Sequence, residues 1–376
     1  MSAVPEEFPE PSESWDPVPT LPGPSYFHPE VWEQEQEKVF AAEWICVGRA
    51  EELPESGDLV TREVGTESVI VVRGKDRVIR GFFNVCVHRG TRLCDPGAGH
   101  AKSGVIKCPY HAWTYDTTGK LVGTPNVLAD EGFDRSRYPL HTIAVQEWNG
   151  FVFVNLSEAP APMEAFLARN PEGDPTRFCA NWHLDELRIA ETITYGVAAN
   201  WKVIVDNYNE CLHCPGIHPA LVDLVPLYRR GLSESVEGAR LADGVTTLTT
   251  SGTTSRPSLP DLTAEECSSY AGNTLFPTLL INLQADCAMT YRLEPQGPDR
   301  TRIVSDYLFH PDTIAREDFD PSDVVELWDL ISRQDWAVCE RAQLGMASRS
   351  YREGGVYPYN DRWIAAFNDR YQESMA

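Results

Sequence analysis

The chain has 376 residues, 42% of them hydrophobic and 23% charged, with a formal net charge of −24. That length is enough for two domains with separate cores. So acidic a balance excludes the basic faces that nucleic acid or anionic membranes require, and neither is expected as a partner. No apolar run approaches the roughly 20 residues that cross a bilayer. The acidic, Pro-rich opening MSAVPEEFPEPSESWDPVPTLPG carries no basic segment followed by an apolar one, so the cytoplasm is the expected compartment. In that setting, ten cysteines point to metal or catalysis rather than to a disulfide framework.

Along the chain, an irregular arm is followed by a helix predicted over 28–44, where Trp32, Val39, Phe40 and Trp44 fall near one face. From 58 to 83 the pattern changes to strands, DLVTREV, ESVIVVRG and RVIRGFFNV, and GFVFVNL (150–156) reads as a buried strand. Pro-rich SEAPAPMEAF (157–166) marks a boundary. Beyond it, LRIAETITYGVAA (187–199) reads as a strand. Trp201, Ile204, Val205 and Tyr208 then recur at helical spacing, which predicts a helix through 200–214. LLINLQADCAMTYRLEP (279–295) and TRIVSDYLFH (301–310) flank the turn signal QGPDR and are expected to pair as an antiparallel hairpin. A long helix should start after Asp320, with Pro321 at its first position. The expected class is α+β with a mostly antiparallel sheet.

Two stretches carry chemistry. NVCVHRGTRLC (84–94) and CPYHAWTYD (108–116) give Cys86-x-His88 and Cys108-x-x-His111, each placing a thiolate and an imidazole on a tight turn. Plain core, zinc and iron–sulfur all compete here. Zinc fingers keep both cysteines in one pair, whereas these pairs are mixed, as in a Rieske centre where two histidines replace two cysteines on one iron. DNYNECLHCPGIHPAL (206–221) holds Glu210, His213 and His218; on a continuous helix, Glu210 and His213 would share a face. Two histidines and a carboxylate with open positions suit a non-haem iron(II) site, and a zinc site using Cys211 and Cys214 is the competing reading.

CVHRGTRLC and CPYHAWTYDTTGKLVG resemble the Rieske signature of the non-haem iron ring-hydroxylating oxygenase α subunits. The similarity runs from TLPGPSYFHPEVWEQE to the C-terminal helix. It implies an N-terminal all-β Rieske domain inserted before a C-terminal helix-grip catalytic domain, an antiparallel sheet with a long helix. The corresponding division is 1–44 for the arm and helix, 45–157 for the Rieske domain and 158–376 for the catalytic domain. By this resemblance Cys86 and Cys108 hold one iron of a 2Fe-2S cluster, and His88 and His111 hold the other. Cys94, Cys211 and Cys214 have no ligand role. His213 and His218 would hold a mononuclear Fe(2+). SRQDWAVCERAQLGMAS (332–348) resembles the family's C-terminal helix through a Q-D-x-x-x-x-E-x-x-Q-x-G pattern, making Asp335 the third ligand ahead of its acidic neighbours Asp329 and Glu340. Glu210 falls where the family has a carboxylate bridging a mononuclear-site histidine to a Rieske histidine of the neighbouring subunit, and Asn207 where a polar residue lines the site.

The same resemblance implies an O2- and NAD(P)H-dependent monooxygenase or dioxygenase, supplied with electrons by a separate flavin/iron–sulfur reductase and assembled as a homotrimer. No Gly-rich dinucleotide fingerprint is present in the chain, which agrees with a separate reductase. Glutamate at 210, where aromatic-ring hydroxylases carry aspartate, resembles the branch acting on choline, carnitine and glycine betaine. Such a cationic substrate would call for an aromatic cage. An aromatic or alicyclic substrate is the alternative, and a Rieske electron-transfer protein without oxygenase activity a further one.

Overall fold

The computed structural model describes residues 17–127, 132–233 and 239–376; the arm's first sixteen residues lie outside them. Ten strands make up the N-terminal half: β1 (Ile45–Arg49), β2 (Asp58–Val64), β3 (Glu67–Arg73), β4 (Ile79–Phe83), β5 (Gly97–His100), β6 (Val105–Lys107), β7 (Thr114–Asp116), β8 (Leu121–Gly123), β9 (Thr142–Trp148) and β10 (Phe151–Asn155). Seven of them form one antiparallel sheet in the order β1-β10-β9-β4-β3-β2-β5, while β6-β7-β8 form a small second sheet. The alternation in β3 explains how this half serves two interiors. Ile70 and Val72 face a compact core with Phe82, Cys86, Cys108 and Tyr115, whereas Val69 and Val71 face the main core of the molecule.

The C-terminal half is built on a six-stranded antiparallel sheet of β11 (Arg188–Val197), β12 (Ala239–Arg240), β13 (Ser269–Leu275), β14 (Leu279–Leu283), β15 (Ala288–Gly297) and β16 (Arg300–Phe309), in the order β11-β16-β15-β14-β13-β12. The helices that frame it include α2 (Trp201–Tyr208), the short α3 (Cys214–Ile217) and α4 (Pro219–Leu224), the 25-residue α5 (Ser322–Met346) and α6 (Arg362–Met375); α1 (Pro29–Glu35) precedes the first sheet. Along α5, Val324, Leu327, Trp328, Ile331, Trp336 and Cys339 are buried at helical spacing. That stripe lies on the sheet, where Trp336 meets Tyr195 and Tyr291 with ring centroids 6.0 and 5.5 Å apart. The α+β layout with an antiparallel sheet and one long helix is therefore as expected.

Four local expectations are corrected. The helix over 28–44 is α-helical only to Glu35, widens into a π-turn over Gln36–Phe40 and stops; Trp44 lies beyond it, donating Nε1–H to Ala161 O at 2.8 Å. Residues 279–295 do not form one strand. The chain reverses after Leu283, so β14 pairs with β15 before β15 pairs with β16 across the expected turn. Pro321 occupies the N-cap of α5 rather than its first turn. The helix expected through 214 ends at Tyr208, because a side chain captures the next backbone groups: the Glu210 carboxylate accepts from the amides of Leu212 and His213.

Candidate metal centres

The two Cys–His stretches fold into twin loops. In the first, Gly90 N donates to Cys86 O at 2.9 Å and Cys86 N to Thr91 O at 2.9 Å; in the second, Ala112 N donates to Cys108 O at 3.0 Å and Cys108 N to Trp113 O at 2.8 Å. Each turn is closed by a left-handed residue four positions after its cysteine, Gly90 at φ 69° and Ala112 at φ 59°. Asn84, which is buried, anchors the first loop: its Oδ1 accepts from Leu93 N and Cys94 N, and its Nδ2 donates to Cys94 O. Cys94 is a free cysteine in that anchoring strut, not part of the pair.

The loops bring their side chains together. His88 and His111 lie edge to face with ring centroids 4.7 Å apart, and His88 stacks on Trp113 at 4.4 Å. The Cys86 thiol is 3.2 Å from Tyr115 Oη and is pushed above its ordinary pKa by burial. His111 Nδ1 is buried without a hydrogen-bond partner, which is what a nitrogen kept for a metal bond would show. Two thiols and two imidazoles on facing turns thus fit a Cys2His2 iron–sulfur cluster. The histidine edge is open to solvent: His88 is exposed and Tyr110, packed on His111, is 57% exposed.

The second site joins residues 122 positions apart, from His213 to Asp335. His213 precedes α3, His218 lies between α3 and α4, and Asp335 projects from the buried stripe of α5. His218 Nε2 is 2.8 Å from Asp335 Oδ1, His213 Nε2 is 3.3 Å from the same oxygen, and the two Nε2 atoms are 3.2 Å apart. Neighbouring ligand atoms around an ion with bonds of about 2.1 Å lie about 3 Å apart at right angles, so the three atoms fit one face of a metal's coordination sphere. Each imidazole is held from behind through Nδ1, His213 by Glu210 Oε1 at 2.5 Å and His218 by Gln334 Oε1 at 2.8 Å. With a metal at the centre, those acceptors would hold a proton on each Nδ1 and free both Nε2 atoms for it. Burial acts to lower the His213 pKa, but its bonds to Asp335 and Glu210 overturn this and lift it to about 10. Burial likewise acts to raise Asp335, and its bonds to His213 and His218 carry it below its ordinary value.

The ligand atoms of His213, His218 and Asp335 all lie within 4.8 Å of one another. The competing acids are engaged elsewhere: Asp329 accepts from Tyr195 Oη and pairs with Arg333, and Glu340 accepts from Ala198 N. Cys211 and Cys214 are joined in a disulfide, with their Cα atoms 4.9 Å apart. Asn207 lies on the wall of a cavity that opens onto the triad. Sequence reasoning missed Gln334, although it is the first residue of the Q-D pattern. It also missed the cavity's other walls, Tyr208, Tyr228, Tyr270, Tyr291 and Trp328, which come from separate elements.

A cluster fold joined to a facial triad at the edge of an antiparallel sheet defines a Rieske-type non-haem iron oxygenase. The family model described as "Ring hydroxylating alpha subunit (catalytic domain)" matches residues 184–376, and that of the "Rieske [2Fe-2S] domain" matches residues 43–138. The chain belongs to this family: it is an oxygenase subunit that carries a Rieske cluster and a mononuclear iron and depends on a reductase partner. It is 30% identical to the glycine betaine monooxygenase oxygenase subunit of Chromohalobacter salexigens, over 95% of this chain and 86% of that one. It is 34% identical to the carnitine monooxygenase oxygenase subunit of Escherichia coli (strain K12), over 94% and 90%. Among solved structures, the quaternary ammonium Rieske monooxygenase CntA in complex with L-carnitine superposes with a TM-score of 0.76 at 29% identity, covering 96% of this chain and 97% of that one. Naphthalene 1,2-dioxygenase from Rhodococcus sp., at 20% identity and a TM-score of 0.73, shares the fold.

Proposed function

We propose that this chain is the oxygenase component of a quaternary ammonium monooxygenase, with residues 45–157 as the electron-relay unit and 158–376 as the catalytic unit. The observation that carries the reading is the cavity on the triad. Three of its tyrosines have their polar ends tied away: Tyr208 Oη donates to Ile281 O at 2.9 Å, Tyr291 Oη lies 2.6 Å from Ser332 Oγ, and Tyr270 Oη donates to Asn282 Oδ1. Rings, not hydroxyls, are left to meet the substrate, and π faces attract a methylated cation that can neither donate nor accept hydrogen bonds. The relatives named for glycine betaine and carnitine support the same class.

In this reading Cys86 and Cys108 hold one iron of the cluster, His88 and His111 the other, and His213, His218 and Asp335 hold the mononuclear iron. When bound, the cluster relays electrons and the mononuclear iron activates dioxygen. A C–H bond beside nitrogen becomes C–OH, the second oxygen atom leaves as water, and two electrons and two protons are consumed. Glu210 and Gln334 fix the tautomers of the two histidines, Glu210 doing so as the acceptor on the electron path. Asn207 supplies a polar group on the wall. The exposed His88–Tyr110 edge, together with Leu212 at 44% exposure beside His213, marks where adjacent subunits would meet. That supports a head-to-tail homotrimer, as does a structure of a quaternary ammonium Rieske monooxygenase reported to give insights into inter-subunit electron transfer. We place the protein in the cytoplasm, where its NAD(P)H-dependent reductase is supplied.

The test is a substrate screen of the holoenzyme with NADH, a compatible reductase and aldehyde detection, running ammonium compounds against aromatic acids. Turnover of an aromatic acid with none of any ammonium compound would sink the reading. The preparation should hold about three irons per chain.

A further inference from the structure

One carboxylate in the cavity is used by neither metal centre. Glu172 stands in the loop before Asp174 and lines the same cavity as the triad. The loop is clamped onto the sheet by Asn170, whose Oδ1 accepts from Phe276 N at 3.1 Å. The carboxylate is aimed by neutral donors: Thr274 N donates to Oε1 at 3.1 Å and Asn273 Nδ2 to Oε2 at 3.2 Å. No ion pair to Glu172 occurs among the described residues, and no Lys or Arg lines the cavity. Residues 234–238, which follow the lining residue Ser233 in sequence, contain none either.

We propose that Glu172 is the counter-charge for the substrate's ammonium group, and that the pocket selects a quaternary ammonium compound bearing no carboxylate. This deepens the quaternary ammonium reading and rests on it. Glu172 and the rings of Tyr208 and Tyr270 present one negative charge and two π faces to a cation. A betaine or carnitine would bring its own carboxylate into a pocket that holds a half-buried acid and offers no Lys or Arg to receive it, a costly arrangement. A neutral donor is present instead: Asn209, whose Oδ1 is taken by Thr274, has its Nδ2 buried without a partner. That amide suits a hydroxyl, so an ammonium alcohol such as choline fits both features. Burial supports the charge argument by pushing the Glu172 carboxyl up to about 8, a displacement that a bound cation would reverse.

The test is calorimetric titration of the iron-loaded enzyme at pH 8.5 ± about 0.5, above the Glu172 midpoint, with choline, tetramethylammonium, glycine betaine and carnitine. Choline and tetramethylammonium should bind at least about tenfold more tightly than glycine betaine or carnitine. Glu172→Gln, checked for unchanged cluster absorption and iron content, should weaken the simple cations about tenfold and narrow that preference. Equal or tighter binding of the carboxylated compounds to the wild type overturns the proposal even if the variant fails to fold. So does a folded Glu172→Gln enzyme with cation affinity within twofold of wild type. If no ammonium compound binds and an aromatic acid is turned over, it is the quaternary ammonium reading itself that falls.

Discussion

The buried pair Lys202–Glu35 makes the stability of the iron site testable. Lys202, on the first turn of α2, and Glu35, at the end of α1, are both fully buried and in contact through Nζ and Oε1. Glu35 also accepts from Tyr371 Oη at 2.7 Å and from Trp201 Nε1 at 3.2 Å, so the pair joins α1, α2 and α6. Burial lowers the Lys202 pKa against the pull of Glu35 and Asp206. Lys202→Met would leave Glu35 buried with neutral donors only, and breaking such a pair costs about 3–5 kcal/mol. The two remaining hydrogen bonds place the expected loss near the lower figure. With about 2.1 cal/mol/K of unfolding entropy per residue, a single transition of the 376-residue chain would carry about 0.8 kcal/mol/K, so the melting temperature should fall by about 4 °C. Glu35→Gln/Lys202→Met removes both charges while keeping an acceptor for Trp201 and Tyr371, and should recover at least about half of the loss. Thermal melts of the holoenzyme at fixed scan rate measure both. A single variant that melts within about 1 °C of wild type, or a double variant less stable than the single, would refute the reasoning.

Gln334→Ala should free the His218 ring and weaken iron(II) binding about 10–100-fold, measured by competition with a chelator, with the cluster spectrum unchanged. Tetramethylammonium, which does not titrate, should bind about tenfold more tightly per pH unit up to about 8 and level off above, because Glu172 must ionise to meet it. The groups facing Glu172 are the neutral Asn273 amide, the Thr274 N–H and the Tyr208 and Tyr270 phenols, which stay protonated over that range, so a flat profile would remove Glu172 from the site. Co-expressed His213→Ala and Cys108→Ser chains, each inactive alone, should form mixed trimers with about a quarter of wild-type turnover if one subunit's cluster serves the next subunit's iron. Background activity in the mixture would exclude that arrangement.

The juxtaposition of Cys86, His88, Cys108 and His111 was legible because the four lie on two local turns, where spacing along the chain is already geometry. Strand alternation in 58–83 was legible for the same reason. The triad was only half so. His213 and His218 sit five residues apart, but Asp335 is brought in by packing of α5, and Asp329 and Glu340 are told apart from it only by Tyr195, Arg333 and Ala198. One signal was available in retrospect: Asp335 is an acid on an apolar stripe, between Ile331 and Cys339. The end of α2 was illegible because helical spacing continues past Tyr208, while the Glu210 carboxylate takes the Leu212 and His213 amides. The aromatic walls could not be read at all, since five elements contribute them and aromatic counts do not distinguish a wall from a core.

Three carboxylates around one cavity have been given three different states by their partners alone. Asp335, between two imidazoles, is held ionised below its ordinary range and turned toward the triad's centre. Glu210 is fixed by the Leu212 and His213 amides on one oxygen and by the His213 ring on the other, which orients a ligand instead of making it one. Glu172 meets neutral donors and burial without a cation, so its charge is incomplete until something positive enters. On the proposed reading the same functional group would serve a metal, a ligand's orientation and a substrate's charge. What would separate the roles is the counter-charge each carboxylate already has, and by that criterion the proposal puts the substrate's cation at the carboxylate left without one.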